Sequence, residues 1–386
     1  MNFDLFDHTV LVTRAGSRAY GIQTESSDVD IKGIAIPPEE YILGLERFEQ
    51  ADKPGHFEEQ RFLALLSADE RDAIQRSRLE GTIYEIRKFM TLALDANPNI
   101  LEVLFCRDSD VLLQREAARP LREQRGLFLS AKAKHTFSGY AIAQLKRIKT
   151  HKRWLLEPPT HKPTREEHAL PAETLIPADQ LAAAEALVQK KLDSWEIDLS
   201  KVPDESDRIA IMGRFRETMS EIVAGIRTDI EAQHARWRAA VKGVGIDDNL
   251  LAIMERERKY KTAKNEWDNY QSWQKSRNPT RAALEEKFGY DTKHGAHLVR
   301  LMRMCEEILV DGKVNVWRGD LDADELKSIR AGSWSYEKLI EFAADTDARL
   351  EALYRAGGYR IAKQPDRHAV GALATTVVRS ALAVEK

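Results

Sequence analysis

Gly16-Ser17-Arg18-Ala19-Tyr20-Gly21, followed by Ser27-Asp28-Val29-Asp30-Ile31-Lys32-Gly33-Ile34, is the stretch on which the fold turns. Upstream of it, the β-branched run His8 to Thr13 reads as a strand that breaks at Gly16. The Gly-Ser turn then opens a short helix. Its first backbone N–H groups and positive dipole end, together with the Ser17 hydroxyl, offer donors to a phosphate. Ile31 to Ile36 continues as a second strand that Pro37-Pro38 ends. Asp28 and Asp30 stand two residues apart at the head of that strand, so both carboxylates leave one face and can grip one hard cation. The competing reading, two loop acids at a strand start, leaves the flanking Gly-Ser turn unexplained.

Three later stretches extend the pattern: Tyr84-Glu85-Ile86-Arg87-Lys88-Phe89, Asn97-Pro98-Asn99-Ile100-Leu101-Glu102, and Gly289-Tyr290-Asp291-Thr292-Lys293-His294 with His297 and Arg300. With the turn and the two aspartates, they resemble the DNA polymerase β-like nucleotidyltransferase superfamily, and within it the RNA-ligase-associated (RlaP-like) branch. The resemblance covers the N-terminal third and the region from about Asn265 to Leu350. It implies an α+β protein with a small mixed-sheet, palm-like nucleotidyltransferase domain over residues 1–120 and a mainly helical domain over 121–386. It also implies magnesium, with manganese able to replace it, and an NTP substrate. The reaction would be transfer of an NMP to an acceptor hydroxyl on RNA. Gly16 and Ser17 would hold phosphates, and Asp28 and Asp30 the metal. A third acid just upstream of the Tyr84 helix would activate the acceptor. Glu80 occupies that place, where the family commonly has Asp, and Glu85 is the fallback.

Composition narrows the class. The 386 residues carry a net charge of −3, and no run of about 18 apolar residues occurs. With no basic, apolar-cored leader after Met1, a cytoplasmic protein without a membrane span is expected. Cys106 and Cys305 are too few for a disulfide framework or a thiolate zinc site, and their apolar neighbours mark them as ordinary buried thiols.

From Tyr84 to Leu94 helix formers dominate, with Ile86, Phe89, Met90 and Ala93 on one face, until Asn97-Pro98 stops the helix. Glu39 to Ser67 has weak periodicity and reads as a loop with short elements. Beyond Leu121 the pattern is helical, with Pro171 to Ser194 an exposed helix that starts near Asp179. On a helix starting near Thr292, Lys293, His297 and Arg300 share one face beside the stripe Leu298, Leu301, Cys305 and Leu309. They are expected as a cationic rim over the triphosphate or acceptor, against the alternative of a solvated face with one structural histidine. Two stretches suit nucleic acid. Ala141 to Trp154 holds Lys146, Arg147, Lys149, Lys152 and Arg153 without an acid, and Arg256 to Arg281 interleaves aromatics with basics around Trp267, Tyr270 and Trp273. Transfer to a protein side chain or small molecule, or a non-catalytic nucleotide-binding module, are the alternatives.

Overall fold

Five strands form one mixed sheet in the computed structural model, which describes residues 2–25, 27–174, 178–193, 237–243, 245, 248–277 and 279–384. The strands are β1 (Thr9–Ala15), β2 (Val29–Ala35), β3 (Gln50–Ala51), β4 (Leu79–Glu85) and β5 (Val111–Gln114), in spatial order β3-β4-β2-β1-β5. β1 pairs antiparallel with β2 and β5, β3 pairs antiparallel with β4, and β2 and β4 run parallel. A parallel pair cannot be joined by a tight turn. The weakly periodic segment after Pro38 supplies the crossover through α2 (Glu39–Ile42), β3, α3 (Gln60–Ala64) and α4 (Ala68–Ile74).

Period-two alternation on β2 sorts its side chains. Val29, Ile31 and Ala35 join Phe57, Phe62 and Leu66 in one core, whereas Ile34 and Ile36 join a second core on the opposite face. Asp30 and Lys32 therefore point to that second face. It is covered by α5 (Ile86–Leu94), α6 (Pro98–Phe105), α8 (Ala133–Leu156) and the helix Thr292–Asp311, with α7 (Arg119–Glu123) beside them. Thr292–Asp311 is N-capped by Asp291, whose Oδ1 accepts from Lys293 N at 2.9 Å and His294 N at 3.1 Å. Its apolar stripe packs along α8.

The α+β class expected from the sequence is what folds, with one boundary moved. Tyr84 and Glu85 belong to β4 rather than to the helix, because their backbone is held by the ladder opposite Ile34 and Ala35. The helix begins at Ile86, where the Glu85 carboxylate caps it by accepting from Arg87 N and Lys88 N. The stretch expected as an exposed helix carries Ala178–Asp193, and Ser194 lies outside the described residues.

The chain divides into two compact units, residues 1–156 with 278–386, and residues 157–277. The first contains the sheet, the helices from α1 (Gly16–Ala19) to α8 and the helices from Pro279 onward. The second contains the helices Ala178–Asp193 and Asp248–Ser276 and an ion pair of Arg165 with Glu257. Among the described residues no helix is long and apolar enough to cross a membrane.

Candidate active site

Strand register brings the acids together. Asp30 on β2 lies directly opposite Glu80 on β4 in the parallel ladder, so both side chains leave the same face. Asp28 stands one residue before β2, and its Oδ1 accepts from Arg78 N at 3.3 Å at the mouth of β4. A cleft of about 310 Å³ is lined by Asp30, Lys32, Asp52, Glu80, Gly81 and Thr82. Asp52, which follows β3, is a fourth acid that the sequence reading did not single out.

The Gly-Ser turn abuts the same carboxylate. Gly16 adopts φ +59 at the start of α1 (Gly16–Ala19), and a Cβ placed on it would lie 2.0 Å from Asp30 Oδ2. Only glycine meets both demands. Two residues on, Arg18 has its Nε sealed from solvent with no hydrogen-bond partner among the described residues. A buried donor left unmade costs stability until an acceptor arrives.

Burial, then the carboxylates of Glu80 and Glu102, push Asp30 up to about 6, with Lys32 opposing and Asp28 adding to the rise. Among the described residues no side chain donates a hydrogen bond to Asp30, so a positive charge from outside is what would relieve the repulsion. No three His, Cys, Asp or Glu side chains among the described residues are gathered to hold a metal ion by themselves. A magnesium ion is usually held by one or two carboxylates together with phosphates and water rather than by an all-protein cage. Asp30 and Glu80, which line the cleft, could hold such an ion, with Asp28 two residues before Asp30 and outside the lining.

Lys32 starts a polar chain into the helical layer. Its Nζ donates to Glu102 Oε1 and, at 3.3 Å, to Asn99 O. Glu102 is 2% exposed, and its other oxygen accepts from Tyr20 OH. The Arg300 guanidinium lies 3.4 Å over the Tyr20 ring and donates to His297 Nδ1 at 3.0 Å. Burial and then Arg300 hold His297 well below the usual histidine range, with His294, Lys32 and Lys293 adding to the effect. The imidazole is therefore neutral, and because Nδ1 accepts, the proton sits on Nε2. Of the expected cationic rim, Lys293 is exposed and His297 half-buried. Arg300 departs from it, since at 4% exposure it is stacked under the site instead. The sequence reading assigned no role to Lys32, Glu102 or Tyr20. The available signal was a single carboxylate within the apolar helix Pro98–Phe105, an arrangement that needs a buried partner.

Glu85 is committed elsewhere. Beyond capping α5, its Oε1 accepts from Arg87 Nε at 2.8 Å, and it stands five ladder positions from Glu80, about 17 Å along the strand. Of the two stretches suited to nucleic acid, α8 exposes Lys146, Arg147, Lys149 and Arg153, while Lys152 Nζ sits 3.6 Å over the Tyr336 ring. In the second unit Trp267, Tyr270 and Trp273 form a ladder with ring centroids 6.2 and 5.9 Å apart, and Arg277 lies 4.7 Å over Trp273. Tyr270 is buried, so part of that ladder is packing surface. Both cysteines are buried, with burial pushing Cys106 up to about 11 and Cys305 up to about 12.

Residues 7–161 match the model of the RlaP family, the RNA repair pathway DNA polymerase beta family. The matched segment spans the whole sheet, both candidate aspartates, Glu80 and α8. The match covers less than half of the 386 residues, and it falls on the branch of the polymerase β-like nucleotidyltransferase superfamily that the sequence motifs resemble. Among curated proteins nothing matches, and among solved structures nothing matches.

Proposed function

We propose, from the similarity of residues 7–161 to that polymerase β family, that the chain is a magnesium-dependent nucleotidyltransferase that moves an NMP from an NTP to an acceptor hydroxyl on RNA. The observation that carries the reading is the Asp30–Glu80 register with Gly16 against the Asp30 carboxylate. Two elements far apart in sequence thereby supply acids to one cleft beside a turn suited to phosphate. When bound, the metal supplies charge neutralisation of the triphosphate and of the departing pyrophosphate. Asp28 and Asp30 bind and orient, Ser17 and the turn hold the terminal phosphates, and Arg18 adds an Nε donor that lacks a partner among the described residues. Glu80, exposed at the cleft, accepts the proton of the attacking hydroxyl. Lys32, fixed by Glu102, places a positive charge next to the acids, and the layer of Tyr20, Arg300 and His297 holds that pair in place. The exposed bases of α8 fit the phosphate backbone of an acceptor strand. The reading extends to a cytoplasmic enzyme acting on soluble substrates.

Incubation with each α-labelled NTP, magnesium or manganese, and total RNA tests this, with Asp30→Asn as control. Label in RNA that the variant does not produce is expected. Label in protein or a small molecule instead would refute the RNA acceptor, and no transfer to any acceptor would refute the enzyme reading.

A further inference from the structure

A second cleft, of about 550 Å³, lies at the far edge of the sheet beside β5, lined by Arg119, Arg122, Arg125 and Gln114 with the acids Asp108 and Glu123. β5 and β2 flank β1 on opposite sides, and Gln114 on β5 lies across Leu11 from Ile34, four residues along β2 from Asp30. Arg122 is 8% exposed. Its Nη2 donates to Cys106 O at 2.7 Å and pairs with Asp108 Oδ1 at 3.0 Å. Its Nε is shut off from solvent with no hydrogen-bond partner among the described residues. A buried guanidinium with an unsatisfied donor costs stability unless an acceptor is brought to it. Arg119 pairs with Glu116 at 3.0 Å from an exposed position, and Arg125 donates to Arg122 O at 3.1 Å. Asp108 is 97% exposed, so the acid nearest Arg122 is solvated while the arginine is not.

We propose that this arginine-walled cleft binds a phosphate group, as a site separate from the catalytic cleft. Three planar forks in one wall exceed what a carboxylate can engage. A phosphate, with three or four oxygens, can accept from several at once. The volume admits more than an isolated ion, so the phosphate can be that of a nucleic-acid terminus, an internal backbone diester or a free polyphosphate.

The intact protein is titrated by calorimetry, without divalent metal, with pyrophosphate and with one short oligoribonucleotide bearing either a 5′-phosphate or a 5′-hydroxyl. The proteins compared are wild type, Asp30→Asn, Arg122→Gln and the double variant Arg119→Glu/Arg125→Glu, whose two positions are exposed and whose melting is checked against wild type. Binding equal in wild type and Asp30→Asn, and at least about tenfold weaker in the double variant, is expected. The salt dependence of oligonucleotide binding should also become shallower by about one to two in log-log slope. Preference for the 5′-phosphate assigns the site to strand ends, equal binding of both oligonucleotides assigns it to the backbone, and binding of pyrophosphate alone assigns it to free anions. The proposal is overturned if none of the three probes binds wild type, or if the double variant, melting as wild type does, binds them equally well. Loss of nucleotidyl transfer is read separately through Asp30→Asn, so either assignment can fall without the other.

Discussion

Replacing Asp30 with Asn should abolish nucleotidyl transfer and make the protein more stable. Folding takes the Asp30 carboxyl from 3.8 to about 6, because burial and the facing Glu80 disfavour its charge. The sign follows from proton linkage. Between those two values the folded state binds more protons than the unfolded one, so stability falls as pH rises through the window, and the whole cost is present above about pH 6. The rise corresponds to about 3 kcal/mol, which solvent at the cleft mouth reduces to about 2 kcal/mol. Asn keeps the shape and carries no charge, so the variant should melt about 4 °C above wild type at pH 7.5. The gain should fall by about half at pH 5, where the wild-type carboxyl is largely protonated in the fold. Thermal melts at the two pH values, with and without magnesium and NTP, read this out. Wild type should rise with the ligands while the variant does not. A variant less stable than wild type at pH 7.5, or a gain that persists unchanged at pH 5, would refute the picture of a repelled, cation-awaiting carboxylate.

Gly16→Ala should cost about 1–2 kcal/mol for its left-handed backbone and, by displacing Asp30, lower turnover by about a hundredfold, which melts and labelled-NTP assays measure together. Glu80→Gln should cut turnover while NTP affinity in equilibrium titration stays near wild type. Glu85→Gln should instead lower stability by about 1 kcal/mol through a weakened helix cap, with transfer retained. Glu102→Ala leaves the half-buried Lys32 cation and the Tyr20 hydroxyl without their shared acceptor, so chemical denaturation should show a loss of about 3 kcal/mol. Arg300→Lys forfeits the stack on Tyr20 and the fork to His297 for about 1–2 kcal/mol, and a denaturation midpoint equal to wild type would put Arg300 outside the buried layer.

How far the site was legible depends on whether its parts are local. The turn at Gly16 and the pair Asp28 and Asp30 lie within one short stretch, so spacing alone joined them. Glu80 entered only through resemblance, because what ties it to Asp30 is a parallel ladder whose strands are separated by an irregular crossover, and no periodicity signals a register. Tyr84 and Glu85 were misplaced because helix formers follow them directly, while strand pairing, a long-range matter, decided their state. Lys293, His297 and Arg300 do share a helix face, as the 3.6-residue repeat requires. The repeat says nothing of depth, and the aromatic ring of Tyr20 on a distant element buries Arg300. Asp52 went unnoticed because β3 is two residues long, below what alternation can reveal.

The division of the sheet-bearing unit by residues 157–277 has a consequence for how the chain is made. Helix α8 buries Ala133, Phe137, Ala141 and Ile148, and its partner in that packing begins at Thr292. At a ribosomal pace of about 5–20 residues per second, the wait between the two is of order ten seconds. Throughout it the nascent chain carries the apolar ridge of α8 without the helix that packs along it and a Tyr20 ring without its arginine. The same interruption lets the sheet-bearing unit close only after the intervening segment has emerged, so newly made protein gains His297 and Arg300 well after the strands they cover.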